Sequence, residues 1–260
     1  MKLRTVEVAR YITPLREGGS LPAIISSNDE ELFVLKFRGA GQGVKALIAE
    51  IIGGELARKL GFLVPEIVLA HLDVAFGRAE PDEEIQDLLK TSAGLNMGLK
   101  YLQGAMTYDP SVTVINEMVA SMIVWFDAFL TNVDRTNKNT NMLIWNGDLW
   151  LIDHGAALYF HHQWDSWETH AAKPFPIIKD HVLLPRASRI QEADELMKNE
   201  ISEKMLREVV DLIPVAWLSL PNSDISPQEI KEIYLRYLTK RLEMSHSFTK
   251  EINDARQIHL

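Results

Sequence analysis

Asp134 and Asn139 lie five residues apart in Asn132-Val133-Asp134-Arg135-Thr136-Asn137-Lys138-Asn139, a polar stretch that follows a long apolar run. Fourteen residues further on, Leu151-Ile152-Asp153-His154-Gly155 puts a carboxylate at the end of an apolar segment, just before a glycine. Oxygen side chains gathered in this way suit a hard cation such as magnesium. Phosphoryl transfer needs such parts: oxygen ligands for the metal, a cation on the phosphates, and a carboxylate that orients the attacking hydroxyl. On this reading Asp134 faces an acceptor hydroxyl, while Asn139 and Asp153 hold the metal. Asn146-Gly147, set between two apolar runs, is a hairpin signal. That hairpin would return Asp153 to the side of Asn139. The Asp134–Asn139 spacing by itself suits a turn-rich surface loop equally well, because Asp and Asn are common turn formers. The Ile-Asp-x-Gly ending and the long preceding helix favour the chemical reading.

The elements that must position these residues fall into two groups. In the first third, residues 5–13, 21–26 and 32–37 read as strands, the last two joined by a polar turn. A loop, Gly39-Ala40-Gly41-Gln42-Gly43, leads to a helix over residues 45–60, where Ala46, Ala49, Ile52, Leu56 and Leu60 recur at helical spacing. Residues 66–73 read as the next strand, 78–92 as an acidic loop running into a short helix, and 99–102 as an edge strand leaving the lobe. Beyond it the pattern is helical over 111–130, 188–200, 202–212 and 226–249, with short strands at 142–145 and 149–153. The expectation is an α+β chain of two lobes: a β-rich lobe over residues 1–108 with one main helix, and a larger helical lobe over 109–260. The site would sit in the cleft between them.

The 132–139 stretch resembles the catalytic loop of the HipA-like kinases, Asn-x-Asp-x-His-x-Lys-Asn, at Asn132, Asp134, Lys138 and Asn139. It is also similar to the Asp-Arg-His-x-x-Asn loop of phosphatidylinositol kinases at Asp134, Arg135 and Asn139. Both patterns have histidine where this chain has Thr136. The resemblance spans roughly residues 15–160 by motif order. It implies a protein-kinase-like fold, ATP and magnesium as cofactors, a Ser/Thr acceptor, catalytic roles for Asp134, Asn139 and Lys138, and metal ligation by Asn139 and Asp153. It further implies that Lys36, in Phe33-Val34-Leu35-Lys36-Phe37, is the ATP-binding lysine and that Glu50 is its partner. Gly18-Gly19-Ser20 lies where such kinases cover the phosphates with backbone amides, and Ser20 is the candidate for self-phosphorylation; an ordinary hairpin turn reads the same. Gly39, Gly41 and Gly43 offer a second possible phosphate loop. Tyr101 and Leu102 resemble the hinge whose backbone bonds adenine, although an edge strand reads the same. The chain is expected to be a short form that begins in the ATP lobe, without the family's antitoxin-engaging N-terminal region.

Two other readings stay open. Small-molecule kinases of the aminoglycoside and choline type share an Asp-x4-Asn…Ile-Asp arrangement, and the acidic segment 80–87 would attract a cationic acceptor; their His-Gly is replaced here by Asn132-Val133. A nucleotide-binding pseudokinase acting as an interaction module would fit Thr136. The acceptor, whether a protein or a small molecule, is not legible.

Composition narrows the classes. The 260 residues carry a net charge of -9 and no long basic run, which argues against generic binding to nucleic-acid phosphates. There is no cysteine, so thiolate chemistry and disulfides are out. No stretch approaches the roughly 20 apolar residues of a membrane helix, and the N-terminus lacks a signal-like apolar core; a cytoplasmic protein is expected. His161 and His162 are adjacent and should point apart, which disfavours a metal site there.

Overall fold

The computed structural model describes residues 2–15, 21–78, 82–219 and 225–258. Its N-terminal part is a closed five-stranded barrel. β1 (Arg4–Pro14), β2 (Ala23–Ser27) and β3 (Leu32–Lys36) form an antiparallel meander. β4 (Ile67–Leu72) and β5 (Gly94–Lys100) complete it in the order β1-β2-β3-β5-β4, and a parallel β1–β4 pair closes the ring. Alternation along β3 sends Phe33 and Leu35 into the barrel interior with Val6, Val8, Ile25, Val68, Ala70 and Leu72. The same two-residue period turns Val34 and Lys36 to the outer face. α2 (Glu83–Thr91), capped by the Asp82 side chain, plugs the barrel with Ile85 and Leu89.

α1 (Val44–Lys59) lies outside this barrel. Residues 47–57 are all buried, the pattern of a helix covered on every side. Leu47, Ile51, Ile52 and Leu56 share one continuous core with Leu206, Val209, Val210 and Trp217, whereas the barrel keeps a separate core. α1 packs on α6 (Glu203–Val210), where Lys59 Nζ meets Glu208 at 2.7 Å. Just beyond α6, Trp217 Nε1 donates to the Leu95 carbonyl of β5 at 3.2 Å. The helix that follows the first three strands thus packs on both sides, against β4 at Gly54 and Ile67 and against α6 and Trp217 of the helical lobe.

That lobe is built around α3 (Glu117–Leu130), with α4 (Trp167–Ala172), α5 (Ile190–Glu200), α6, α7 (Pro227–Glu243) and α8 (Ser245–Ile258). A small sheet, β6 (Met106–Thr107), β7 (Met142–Trp145) and β8 (Asp148–Leu151), lies at the lobe junction. Asn146 and Gly147 both have positive φ, 53° and 87°, as the tight β7–β8 turn requires. Among the described residues no helix is long and apolar enough to cross a membrane.

Four sequence expectations need correction. The expected edge strand at 99–102 is an interior strand, β5, that starts at Gly94 and is flanked by β3 and β4. Its first half lacks β-branched residues; it is held by the buried Asn96 side chain, which accepts from Arg38 N–H and donates to the Ser92 and Gly94 carbonyls. The helix expected from 111 starts at 117, because Asp109 draws the Ser111 N–H and hydroxyl into a turn and Asn116 caps the helix. The helix expected over 226–249 is two, broken at Met244, with α8 turning so that Phe248 meets Trp125 edge-on. The second hairpin strand ends at Leu151, not at Asp153, which has φ 56°.

Candidate active site

Lys36, Glu50 and Asp153 converge from three elements. Lys36 Nζ, at the end of β3, donates to Glu50 Oε1 of α1 and to Asp153 Oδ1 at 2.8 Å. The other Glu50 oxygen accepts the His154 N–H at 2.9 Å. Glu50 is sealed at 2% exposure, whereas the Asp153 side chain is 44% exposed. Burial works against the Lys36 charge, but the two carboxylates outweigh it and hold the ammonium well above its usual range. Burial pushes Asp153 up, and the Lys36 charge and hydrogen bonds more than reverse this, so its carboxyl lies well below the usual range. Burial dominates at Glu50, and Asp153 adds to it; Glu50 is pushed up to about 7 despite Lys36.

Asp153 is held in the left-handed region, where Asp is tolerated better than most residues. That turn ends β8 and aims the Asp153 carboxylate at Lys36. His154 is then buried against α1 and lies edge-on to Phe126 at 6.2 Å. A Cβ on Gly53 would stand 2.6 Å from His154 Cβ, so the close approach of Asp153 to α1 needs glycine there. Burial drives the His154 imidazole down to about 3, so it is neutral.

The 132–139 loop lies near enough to Asp153 for that charge to act on Asp134. Asn139 Nδ2 donates to Asp134 Oδ2 at 2.8 Å, and Asn141 Nδ2 reaches the same oxygen at 3.3 Å. With its amide nitrogen on Asp134, Asn139 presents its Oδ1 away from that carboxylate. Burial raises Asp134, helped by the charge on Asp153, which makes it a better proton acceptor than a surface aspartate. Lys138 is exposed beside Asn139. The Thr136 N–H donates to the Asn139 carbonyl at 2.8 Å, closing the turn between them.

Beneath the loop is a buried polar network that the sequence reading missed. Asp127, in the last turns of α3, accepts from Asn132 Nδ2 at 2.9 Å, Arg135 Nε at 2.5 Å and His181 Nε2 at 2.9 Å. Arg135 Nη1 donates to the Asn141 carbonyl and, at 3.4 Å, to that of Ile152. The residues on either side of the β7–β8 hairpin are therefore tied to the loop. Burial would raise Asp127, but Arg135 and the hydrogen bonds hold its carboxyl far below the usual range. One signal was available: Asp127 is an acid inside an otherwise apolar helix, and such a residue is rarely buried unpaired. Nothing in the sequence linked His181 to it.

Gly18, Gly19 and Ser20 fall outside the described residues. Tyr101 and Leu102 follow β5; the Tyr101 N–H donates to Leu32 O at 2.9 Å, which occupies one of the hinge groups. In the loop before α1, Gln42 bonds His162 Nε2 at 2.8 Å. His161 turns instead to Tyr234, at 3.1 Å. Among the described residues no group of three His, Asp or Glu side chains is arranged to hold a metal.

A family model for HipA-like kinases matches residues 8–249. The chain belongs to the HipA-like kinase family. Membership makes it a phosphotransferase of kinase type. No curated protein matches the chain. Among solved structures, the Helicobacter pylori proinflammatory kinase CtkA is similar over 98% of both chains, at 15% identity and a TM-score of 0.59. A Golgi casein kinase with Mn/ADP bound is similar over 98% of this chain and 75% of its own, at 12% identity and a TM-score of 0.52. At these identities the likeness is one of fold: this HipA-like chain has the two-part kinase architecture.

Proposed function

We propose that this kinase transfers the γ-phosphoryl group of ATP, with magnesium, to a serine or threonine hydroxyl of a protein. The observation that carries the reading is Lys36 held between Glu50 and Asp153, with the Asp134–Asn139 pair close enough for Asp153 to act on Asp134. A lysine fixed by two carboxylates stays charged and aimed at phosphates. The donor set fits magnesium, which takes hard oxygens and usually binds through one or two protein groups plus substrate phosphates. Asn139 Oδ1 and the outer oxygen of Asp153 would hold it, and it would neutralise charge on the phosphates. Asp134, raised by burial, would accept a hydrogen bond from the acceptor hydroxyl and orient it for in-line attack. Lys138 lies beside Asn139, suited to charge stabilisation at the transferring group. Adenine would lie against the hinge, on the Tyr101 carbonyl and the Leu102 amide.

The test has two parts. Asp134→Ala and Asp153→Ala should each abolish phosphate transfer from ATP by pure protein, while Asp134→Ala keeps nucleotide binding. Wild-type protein should gain apparent stability with ATP and magnesium, by about 2.7 kcal/mol at a hundredfold excess over the dissociation constant. Asp153→Asn should lose that gain. Equal stabilisation of wild type and Asp153→Asn, or transfer that survives in either alanine variant, would refute the assignment.

A further inference from the structure

We infer that His181 is a positioning residue of the catalytic loop, delivering from a distant segment the histidine that the loop lacks at Thr136; this rests on the function proposed above. The backbone brings it there. Thr136 and His181 form an isolated antiparallel bridge, and the Val182 N–H donates to the Arg135 carbonyl at 3.1 Å. The ring is then buried at 4% exposure.

The hydrogen bonds fix its proton. Nδ1 accepts the Leu183 N–H at 3.0 Å, so it carries no hydrogen. The ring proton of a neutral imidazole then sits on Nε2, which donates to Asp127 Oδ2 at 2.9 Å. A doubly protonated ring would lose the Leu183 bond, and burial also favours the neutral form. His181 is therefore a neutral donor of fixed tautomer.

Its target controls both halves of the site. Asp127 orients Arg135, and Arg135 binds the Asn141 and Ile152 carbonyls. Asn141 also reaches Asp134 through its side chain, and Ile152 immediately precedes Asp153. The third hydrogen bond on Asp127 thus limits how Arg135 can turn. His181 touches neither carboxylate of the site; it acts through Asp127 and Arg135. It also makes the end of the chain between Asp153 and α5 a partner of the loop.

The test compares His181→Leu, which removes the donor, with His181→Gln, whose amide nitrogen can reach the position of Nε2. Transfer from ATP to dephosphorylated casein is measured together with amide exchange at Thr136 and Asn139 in the nucleotide-free protein. In His181→Leu kcat should fall about tenfold or more, as lost positioning predicts, with KM for ATP within about threefold of wild type. Exchange at both amides should quicken, and His181→Gln should restore most of kcat and of the protection. Unchanged kcat and exchange in His181→Leu, or a glutamine variant as impaired as the leucine one, would overturn the inference. Should wild type show no transfer to casein, casein is not its acceptor, and the exchange comparison alone decides the role of His181. Imidazole nitrogen resonances of the wild type give a check without substitution: an Nδ1–H tautomer refutes the arrangement, and an Nε2–H tautomer supports it.

Discussion

Gly53 and Gly54 are neighbours in the middle of α1, and alanine at either should help the helix by about 1 kcal/mol. Their surroundings differ. A Cβ on Gly54 would meet Ile67 Cδ1 at 2.5 Å, the free end of a side chain that can rotate aside. A Cβ on Gly53 would meet His154 Cγ at 2.8 Å and His154 Cβ at 2.6 Å, and the latter cannot move without the backbone. Overpacking of that kind costs about 1–3 kcal/mol. The net expectation for Gly53→Ala is a loss of roughly 1 kcal/mol, or about 2–4 °C in melting temperature for a chain of this size. Gly54→Ala should be neutral or slightly stabilising. Catalysis should separate the two more sharply. Relief at Gly53 pushes α1 from the Asp153-His154 turn, loosening the Glu50 bond to His154 N–H and the Lys36 bridge, and a displacement near 1 Å can cost about a hundredfold in rate. Denaturant unfolding and phosphate-transfer rates of both variants test this. The double variant Gly53→Ala/His154→Gly should recover stability relative to the sum of the single changes, because glycine at 154 has no Cβ for the new methyl to meet. A Gly53→Ala protein as stable and active as Gly54→Ala would refute the packing argument.

Further outcomes can be checked. His154 sits near 3 in the native protein and near 6.5 when unfolded, so between those values the unfolded chain binds more protons and stability falls as pH falls, by up to about 1.4 kcal/mol per pH unit. His154→Phe should remove that contribution and move the acid-unfolding midpoint to lower pH in circular dichroism titrations. Asp127→Asn leaves the Arg135 cation buried without its counter-charge and should cost about 3–5 kcal/mol in urea unfolding. Trp217→Ala empties a buried site between α1 and β5 and should cost about 3–5 kcal/mol, whereas Trp217→Phe loses mainly one hydrogen bond, about 1 kcal/mol. If the two Trp217 variants unfold at the same denaturant concentration, the packing contribution assigned to this residue is wrong.

The strand-rich beginning, α1, the β7–β8 hairpin and the loop were legible because each is local: period-2 and period-3.6 patterns, an Asn-Gly turn, and short spacings between oxygen side chains. The contact of Asp134 with Asn139 spans only five residues. What could not be read depends on distant pairing. Asp127 and His181 are 54 residues apart, and only the fold makes their bond. β5 was misplaced because its stability comes from two flanking strands and the Asn96 side chain, not from its own propensity. The Met244 break has neither glycine nor proline to announce it, since tertiary packing of Phe248 on Trp125 decides it.

α1 contributes Glu50 to the site while its apolar faces belong to a core that α6 and Trp217 share with the outer face of β4 and β5. A fragment ended at residue 108 would therefore carry this helix without the distal half of the surface that covers it. The barrel keeps its own interior in such a piece, but the part of α1 that α6 and Trp217 cover would face water and invite aggregation. Dissecting the protein into independent halves means leaving α1 with the distal half, or supplying residues 203–218 in trans as its cover. By the same logic, a chain emerging from the ribosome can close its barrel early, yet Glu50 gains its second anchor only once His154 has been made, and α1 its full cover only after α6 and Trp217.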